Sequence, residues 1–258
     1  MNFLADPEIN ATSRSASCET HGDFNSRKIF GSIWSKCPAC EAEAMAKEAQ
    51  EREARKRDEA RQSWQRKVGG AGIPERFQDR SLQSFVAETE AQTRALSFAN
   101  SYADNFDDAL TTGRSALFIG KPGTGKTHLA VGIGLRIMHR DNRTVLFSTV
   151  MRAIRRVKDT WSRESPETET QAIAALVFPD LLILDEVGVQ FGSDTEKLIL
   201  FDVLNERYEK RRPTLLISNL ELDGVRAYLG ERIFDRLRED CGEVIPFDWA
   251  SHRGKAQS

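Results

Sequence analysis

Short apolar runs alternate with helical patterns in the chain beyond residue 72. The runs cover residues 115–119, 144–148, 181–184, 214–218 and 243–247. They are nearly continuous rather than alternating, which is typical of strands that are buried on both faces. The segments between them place apolar residues at helical spacing, as at Leu129, Ile133 and Ile137. The pattern predicts an α/β fold, a three-layer sandwich in which helices cover both faces of a parallel five-stranded sheet.

The first 70 residues follow a different pattern. Residues 41–70 are mostly strong helix formers, with alanine at the apolar positions and Glu–Arg pairs four residues apart. This predicts a charged helical linker rather than a coiled coil, because no leucine heptad is present. We expect a disordered tail at 1–17, a small module at 18–40, a main domain at 71–250 and a second tail at 251–258.

Composition sets limits on the class of protein. The chain has 258 residues, of which 40% are hydrophobic, enough for one well-buried domain plus an appendage. Its formal net charge of -2 does not indicate a nucleic-acid binder, so any such binding must come from a local patch. No apolar run is long enough to span a bilayer and no signal peptide is visible, so we expect a cytoplasmic, nucleoid-associated protein with reduced cysteines.

The most specific motif is the segment from Gly120 to Thr127, a full match to the phosphate-loop pattern GxxxxGK[ST]. A predicted strand precedes it and a predicted helix follows it, as this motif requires. Its glycines let successive N–H groups point at an anion, and the helix N-terminus favours negative charge. Lys126 would contact the outer phosphates of ATP and Thr127 would hold Mg²⁺. The predicted ATP and Mg²⁺ contacts are Gly120, Pro122, Gly123, Thr124, Gly125, Lys126, Thr127 and His128.

Two later strands end in polar residues that suit nucleotide hydrolysis. Asp185 and Glu186 follow the buried run 181–184. Asp185 is placed to reach Mg²⁺, and Glu186 to orient and deprotonate the attacking water. Asn219 ends the run 214–218, where it would hydrogen-bond this water or the γ-phosphate. The alternative for Asn219 is a turn residue that closes the strand.

Arg232 and Arg236 are four residues apart and share a face if this segment is helical. A guanidinium group suits contact with the γ-phosphate bound by a neighbouring subunit. The alternative is a solvated face on which both arginines pair with Glu231 and Asp235.

Cys18, His21, Cys37 and Cys40 form two close pairs separated by a short loop. Three thiolates and an imidazole fill the four positions of a tetrahedral structural zinc site. Such a site would fold a segment too small to bury a core. The alternative is that these are free cysteines, like the isolated Cys241.

Residues 150–163 combine apolar positions with basic ones. Met151, Ile154, Val157 and Trp161 recur at helical spacing. The candidate contacts for single-stranded DNA are Arg152, Arg155, Arg156, Lys158 and Trp161, since backbone charge with an aromatic side chain is the expected chemistry. The alternative is an ordinary amphipathic surface helix with Trp161 in the core.

Taken together, these residues resemble the AAA+ ATPases, and in particular the DnaC-type helicase loaders and their IstB-type transposition relatives. The segments that carry the resemblance are AGIPERF, GKPGTGKTHLA, LLILDEVGVQ, EKRRPTLLISN, LGERIFDRL and IPFDW. The resemblance implies a sheet of order 5-1-4-3-2, no C-terminal lid, and ATP-dependent self-association into rings or spirals. It also implies that Arg236 acts on the adjacent subunit with Arg232 as its companion, and that Ile73 and Phe77 flank the adenine.

Three functions are consistent with these features. The first is an ATP-dependent loader that places a DnaB-type hexameric helicase on single-stranded DNA, with residues 150–163 in the pore. The second is a transposition helper that assembles on duplex DNA and recruits a transposase. The third is a binding module whose ATP site is a switch with negligible turnover, against which the intact Glu186 argues. The predicted zinc module favours the first, because the transposition relatives generally lack one.

Overall fold

The computed structural model describes residues 12–189, 193–239 and 242–252. The chain divides into two compact units, Met1–Gln65 and Arg66–Ser258. The division lies within helix α1 (Pro38–Gly70), before the boundary expected at residue 70. Within the described residues, no helix combines the length and the apolar character that are needed to cross a membrane.

The first unit contains a small antiparallel sheet followed by most of α1. Its strands are β1 (Ser13–Cys18), β2 (Gly22–Phe30) and β3 (Ile33–Trp34), in the order β1-β2-β3. The expectation of a disordered tail up to residue 17 is therefore wrong for residues 13–17, which pair with β2. The strand was missed because its sequence, SRSASC, has only two small apolar residues, Ala16 and Cys18, which are too few to show an alternating pattern. The expected tail at residues 1–11 lies outside the described residues.

Almost nothing in the first unit is buried. Among its described residues only Ser26 and Cys37 are buried, and the side chains of α1 lie in solvent from Glu41 as far as Ser63. Ion pairs along the helix include Arg57 with Glu53, four residues apart, at 3.9 Å. The described part of this unit, residues 12–65, therefore has no hydrophobic core, as expected for a segment that needs another source of stability.

The second unit is built on a parallel sheet. Its strands are β4 (Ala116–Gly120), β5 (Val145–Thr149), β6 (Leu181–Val187), β7 (Thr214–Ser218) and β8 (Glu243–Phe247). They lie in the order β5-β6-β7-β4-β8, and every pairing is parallel. Counted from β4 as the first strand, this is the order 5-1-4-3-2, so the fold prediction is confirmed. The four residues Leu181 to Leu184 are fully buried, as the continuous apolar run predicted.

Helices cover this sheet. They are α2 (Glu75–Gln78), α3 (Glu90–Asp104), α4 (Phe106–Thr112), α5 (Lys126–Arg140), α6 (Val150–Asp159), α7 (Glu169–Val177), α8 (Asp194–Glu209), α9 (Leu222–Leu229) and α10 (Glu231–Glu239). The local sequence determines where α3 and α7 begin, because Thr89 and Thr168 at their N-caps each form a capping box with a glutamine three residues later. In α5, Leu129, Ile133 and Ile137 are fully buried, as their spacing predicted.

Arg207 of α8 is a fully buried cation that joins three segments, with only 1% of its surface exposed. Its guanidinium group donates to the carbonyl oxygens of Leu176, Val177, Pro179 and Pro213 and to the hydroxyl of Thr214. Burial lowers the pKa of Arg207 to about 9, so the group remains charged at neutral pH. This one side chain supplies donors to the carbonyls at the end of α7, and it adds a second donor to the carbonyl of Pro213, which also accepts from the backbone N–H of Leu182.

We expect Arg207→Met to lower the free energy of unfolding of the second unit by about 3 kcal/mol or more, because several buried acceptors lose their donor. Urea unfolding followed by circular dichroism measures the change. The matched control is Arg155→Met on α6, an exposed arginine, for which the change should stay within about 0.5 kcal/mol. Equal effects of the two substitutions would contradict this role for Arg207.

Candidate nucleotide-binding site and cysteine–histidine cluster

The carboxyl ends of β4, β6 and β7 border a cavity of about 490 Å³. The structure brings most of the predicted site residues together at this cavity. Those that line it are Phe77, Pro122, Gly123, Gly125, Lys126, Thr127, His128, Asp185, Glu186 and Asn219. Its position at the carboxyl edge of a parallel sheet is where ligands bind in α/β folds.

The phosphate loop connects β4 to α5 with the backbone geometry that the glycines predicted. Gly120 has a φ of 136°, and a Cβ atom there would lie 2.2 Å from the carbonyl oxygen of Phe247 in β8. Glycine is therefore required at the point where the loop leaves the sheet. Gly120 and Thr124 belong to the loop but do not line the cavity, and the Thr124 hydroxyl donates to the carbonyl of Lys121 at 2.8 Å.

Lys126 begins α5 and is 5% exposed. Its ammonium group donates to the carbonyl oxygens of Gly120 at 2.5 Å and Lys121 at 2.8 Å. These contacts hold the positive charge inside the loop, next to the backbone N–H groups at the start of α5. An anion bound there would meet a fixed charge and the positive end of a helix dipole.

Thr127 and Asp185 are in direct contact, although they are far apart in the chain. The Thr127 hydroxyl donates to Asp185 Oδ2 at 2.8 Å, and the backbone N–H of Glu186 donates to Asp185 Oδ1 at 2.7 Å. Burial raises the pKa of Asp185 above its ordinary value, an effect that the hydrogen bond from Thr127 opposes. A hydroxyl and a carboxylate at one point are the hard oxygen donors that Mg²⁺ prefers, so the residues present fit this ion.

A β-bulge sets the direction of Glu186. Leu184 pairs with Leu216 and Val187 pairs with Ser218, so β6 has one more residue than β7 between these two pairs. Glu186 takes up this extra residue with a φ of 63°, a left-handed conformation that non-glycine residues seldom adopt. The bulge lets two consecutive carboxylates, those of Asp185 and Glu186, both border the cavity, whereas a regular strand would point them to opposite faces.

Asn219 lies at the cavity, and its neighbour forms the turn. The Ser218 hydroxyl donates to the carbonyl of Val187 at 2.7 Å and accepts from the backbone N–H of Leu220 at 3.0 Å. The hydrogen bonds that close the end of β7 therefore belong to Ser218. Asn219 lines the same cavity as Glu186, which is the position that its predicted contact with the attacking water or the γ-phosphate requires.

Of the two residues expected to flank the adenine, only one lies at the cavity. Phe77 lines the cavity, whereas Ile73 is buried and is absent from the lining. Four further residues line the cavity that the sequence did not predict there, namely Arg76, Arg80, Ile217 and His252. The two arginines flank Phe77 in one short segment, and that basic pattern was the available signal. No comparable signal marked His252, which lies in the expected C-terminal tail and whose backbone N–H donates to the carbonyl of Gly123 at 3.0 Å. Residues 253–258 of that tail lie outside the described residues.

His128 lines the cavity, and contacts with Ser81 and Phe85 fix the orientation of its ring. Its Nε2 atom donates to the carbonyl of Ser81 at 2.9 Å, and its ring meets the edge of Phe85 at a centroid distance of 5.5 Å. Burial lowers the pKa of His128 below its ordinary value. The side chain is therefore neutral at pH 7, and it connects the phosphate-loop helix to the segment that carries Phe77.

Arg232 and Arg236 lie on α10 and neither lines the cavity of its own chain. Arg236 is half-buried with its guanidinium group 4.9 Å from the ring centroid of Tyr208, and its Nη1 atom is buried with no hydrogen-bond partner among the described residues. Arg232 is exposed and lies over Phe201 at 5.5 Å. Glu231 forms an ion pair with Arg226 at 2.6 Å. Among the residues that the structure describes, no ion pair joins Arg232 or Arg236 to Glu231 or Asp235, so the pairing that formed the sequence-based alternative is not observed.

The candidate DNA-binding residues on and after α6 divide into two groups. Arg156 pairs with Glu167 at 2.6 Å and Lys158 pairs with Glu196 at 2.8 Å. Arg152 and Arg155 form no ion pair within the part of the chain that the structure describes. Only part of the predicted charge is therefore uncompensated.

Trp161 follows the end of α6 and does not extend its apolar face. It is 53% exposed, and its indole N–H donates to Glu169 at 2.6 Å. The alternative that placed Trp161 in the core is therefore wrong. Val150, Ala153, Ile154 and Val157 form the buried face of α6 instead.

The cysteine–histidine cluster forms in the first unit as the spacing predicted. The side-chain donor atoms of Cys18, His21, Cys37 and Cys40 all lie within 4.8 Å of one another. Cys18 ends β1, His21 lies in the turn before β2, Cys37 precedes α1 and Cys40 is in its first turn. Three sulfur atoms and one imidazole nitrogen at this spacing fit a tetrahedral zinc ion. Cys241 lies outside the described residues.

Glu43 is a residue of this cluster that sequence analysis missed. The Nε2–H of His21 donates to Glu43 Oε1 at 3.0 Å, while its Nδ1 atom lies 3.3 Å from the Cys40 sulfur. This contact keeps the proton on Nε2 and leaves Nδ1 as the metal-binding atom. Hydrogen bonds, first from the backbone N–H of His21, lower the pKa of Cys18 to about 6, so a thiolate is present at neutral pH.

Comparison with known proteins agrees with this geometry. A family model described as IstB-like ATP binding protein matches residues 45–258. A protein of Escherichia coli strain K12 named Replicative helicase loader DnaC is 37% identical over 191 residues, which are 74% of this chain and 76% of that protein. The protein of the same name from Buchnera aphidicola subsp. Acyrthosiphon pisum is 36% identical over 190 residues, 73% of this chain and 75% of that one.

A solved structure shares the fold. The crystal structure of a DnaC helicase loader superimposes with a TM-score of 0.61 at 23% identity, over 67% of this chain and 99% of that one. The ATP-binding family match spans the whole nucleotide cavity, and each of the two relatives matches about three quarters of the chain. The chain belongs to the IstB-like ATP binding proteins and is an AAA+ ATPase of the DnaC type.

Proposed function

We propose that this protein loads a hexameric replicative helicase of the DnaB type onto single-stranded DNA and that ATP hydrolysis times the release of the helicase. The observation that carries the proposal is the identity to two proteins named replicative helicase loader over about three quarters of their length. The complete nucleotide cavity supports it, since a loader of this kind must bind ATP and turn it over.

The residues at the cavity suit this cycle. Lys126 and the backbone N–H groups of the loop would bind the phosphates, while Thr127 and Asp185 would hold Mg²⁺. The metal ion neutralises phosphate charge when it is bound. Glu186 would orient and deprotonate the attacking water, and Asn219 would hydrogen-bond that water or the γ-phosphate. The exposed carboxylate of Glu186 argues against a purely static ATP switch.

A loading assay tests the main proposal. The chain is mixed with a DnaB-type helicase from the same source and with closed circular single-stranded DNA, and DNA-bound helicase is measured with and without ATP. We expect ATP-dependent transfer of the hexamer onto the circle. Binding to a transposase and assembly on duplex DNA, with no helicase binding, would favour the alternative of a transposition helper, which the IstB-like family description keeps open.

Single-stranded DNA would contact the surface of α6. Arg152 and Arg155 are its uncompensated cations among the described residues, and the exposed ring of Trp161 offers a stacking surface nearby in the chain. Arg156, Lys158 and the indole N–H of Trp161 are already bonded to carboxylates. We therefore assign Arg152 and Arg155 the larger part of any contact with the DNA backbone.

Substitutions at the phosphate loop and at β6 should separate binding from turnover. Lys126→Ala should abolish tight ATP binding, because the fixed charge for the outer phosphates is lost. Glu186→Gln should bind ATP with near-normal affinity and fail to hydrolyse it, because the amide keeps the shape and loses the base. Calorimetric titration and phosphate release measure the two effects. Equal loss of ATP affinity in both variants would refute the assigned roles.

The cysteine–histidine cluster should contain one zinc ion per chain. Metal binding would replace the hydrophobic core that the first unit does not have. We expect Cys37→Ser to lose the zinc and to unfold the first unit while ATP binding is kept. Glu43→Gln should weaken zinc binding by about 10–100-fold, because His21 loses its carboxylate partner.

Elemental analysis of protein purified without chelators and a competition titration with a zinc indicator measure these changes. Glu48→Gln, an exposed carboxylate further along α1, is the matched control for Glu43. Purified protein without zinc, or equal zinc affinity of the two glutamine variants, would contradict the respective assignment.

Arg236 is proposed to act on the ATP bound by an adjacent subunit. Arg236→Ala should bind ATP nearly normally and lose the stimulation of turnover by assembly, by about a thousandfold or more. Mixing Arg236→Ala with Glu186→Gln should restore part of the activity, because some interfaces then combine an intact Glu186 with an intact Arg236. Phosphate release at rising protein concentration measures the effect.

Arg236 also packs on Tyr208, so its folding contribution needs a control. Melting temperatures of the variants identify any loss of packing, and Arg238→Ala provides an exposed arginine of the same helix for comparison. An inactive mixture whose two variants still assemble would show that Arg236 does not act in trans, and Arg232 would become the candidate.

A further inference from the structure

The segment after β8 is bonded to the phosphate loop. The indole N–H of Trp249 donates to the carbonyl of Thr124 at 2.9 Å, and the backbone N–H of His252 donates to the carbonyl of Gly123 at 3.0 Å. Trp249 is 9% exposed and packs against the ring of Phe247 at a centroid distance of 4.8 Å. These contacts fix the segment against the loop at two consecutive residues and carry His252 to the cavity, which it lines.

The imidazole of His252 is held by Gln92 of α3. The Nε2 atom of His252 lies 3.2 Å from the side-chain nitrogen of Gln92, which is 3% exposed. The side-chain oxygen of Gln92 accepts from the backbone N–H groups of Glu88 at 2.6 Å and Thr89 at 2.9 Å. Since these two bonds fix the oxygen, the amide NH₂ group must face the histidine.

This arrangement determines the tautomer of His252. An amide NH₂ group only donates, so Nε2 of His252 must accept and the ring proton is on Nδ1. The contacts of Gln92, which lie outside the phosphate loop, therefore leave the Nδ1–H group of His252 as a hydrogen-bond donor at the nucleotide cavity. Neither Gln92 nor His252 belongs to the motifs that bind phosphate or orient water.

We propose that His252 contacts the bound nucleotide, with its Nδ1–H donating to a nucleotide oxygen beside Gly123, and that Gln92 is the positioning residue that fixes this tautomer. The acceptor is a hydroxyl of the ribose or an oxygen of a phosphate. Lys126, Arg76 and Arg80 line the same cavity and supply its positive charge, and the Nδ1–H group of His252 adds a directional hydrogen-bond donor to them. The inference rests on ATP binding in this cavity.

Three substitutions of His252 in the full-length chain test the contact. His252→Ala removes the donor and should weaken ADP binding about tenfold, the size expected for one hydrogen bond to a nucleotide. His252→Asn should retain most of the affinity, because its amide nitrogen lies close to the place of Nδ1. His252→Gln extends its amide toward Gln92 instead and should behave like the alanine variant. Calorimetric titration measures each dissociation constant.

Modified nucleotides identify the acceptor. The unaltered chain and His252→Ala are each titrated with ATP, 2′-deoxy-ATP and 3′-deoxy-ATP. If a ribose hydroxyl accepts the bond, the difference between the two proteins disappears for the nucleotide that lacks this hydroxyl. If a phosphate accepts it, the tenfold difference persists for all three nucleotides.

Melting temperatures without nucleotide separate a nucleotide contact from a structural role. We expect all three variants to melt within about 2 °C of the unaltered chain, since the substitutions are at a partly exposed side chain. Unchanged affinity of His252→Ala for every nucleotide, or a loss of affinity that Asn fails to restore, would overturn the proposal. Failure of the unaltered chain to bind ATP would instead refute nucleotide binding itself.

Discussion

The parallel pairing of β4 with β7 on one side and β8 on the other brings the nucleotide site together. Because carboxyl ends of parallel strands meet at one edge, the loop after β4 lies beside Asn219 after β7 and beside the segment after β8. The close approach of Gly120 to Phe247 shows how tightly this pairing is made. The contact between Thr127 and Asp185 then extends the site to β6, which is two strands away from β4.

The bulge in β6 is the main departure from regular geometry at this edge. A left-handed conformation at Glu186 costs of the order of 1–3 kcal/mol, and neighbouring bonds must hold it. The N–H of Glu186 bonds to Asp185, and the carbonyl of Val187 accepts from Ser218. These bonds compensate the strain and hold the carboxylate at the cavity. The strained backbone at Glu186 is therefore what directs its carboxylate to the cavity, where the proposed contact with the attacking water would be made.

The sequence predicted the structure correctly where a single short stretch of residues determines the local geometry. The glycines, Lys126 and Thr127 form such a pattern, as do the buried runs of the sheet and the spacing that groups Cys18, His21, Cys37 and Cys40. It failed where a residue acts through a distant partner. His252 reaches the cavity through Gly123 and Gln92, and Glu43 acts through His21. Strand β1 was missed because pairing with β2, rather than apolar alternation, defines it, and the alternative that buried Trp161 was wrong because α6 ends before it.

The helix α1 depends on structure at both of its ends. An isolated helix of charged residues is marginal in water, and ion pairs such as Glu53 with Arg57 contribute only a few tenths of a kcal/mol. At its start, Cys40 and Glu43 belong to the cysteine–histidine cluster. Near its end, Val68 is buried and Lys67 donates to the carbonyl of Met138 at 2.9 Å. Metal binding would therefore stabilise the beginning of the helix, whereas hydrophobic packing stabilises its end, and loss of zinc should fray α1 from Pro38 without unfolding the residues that follow Arg66.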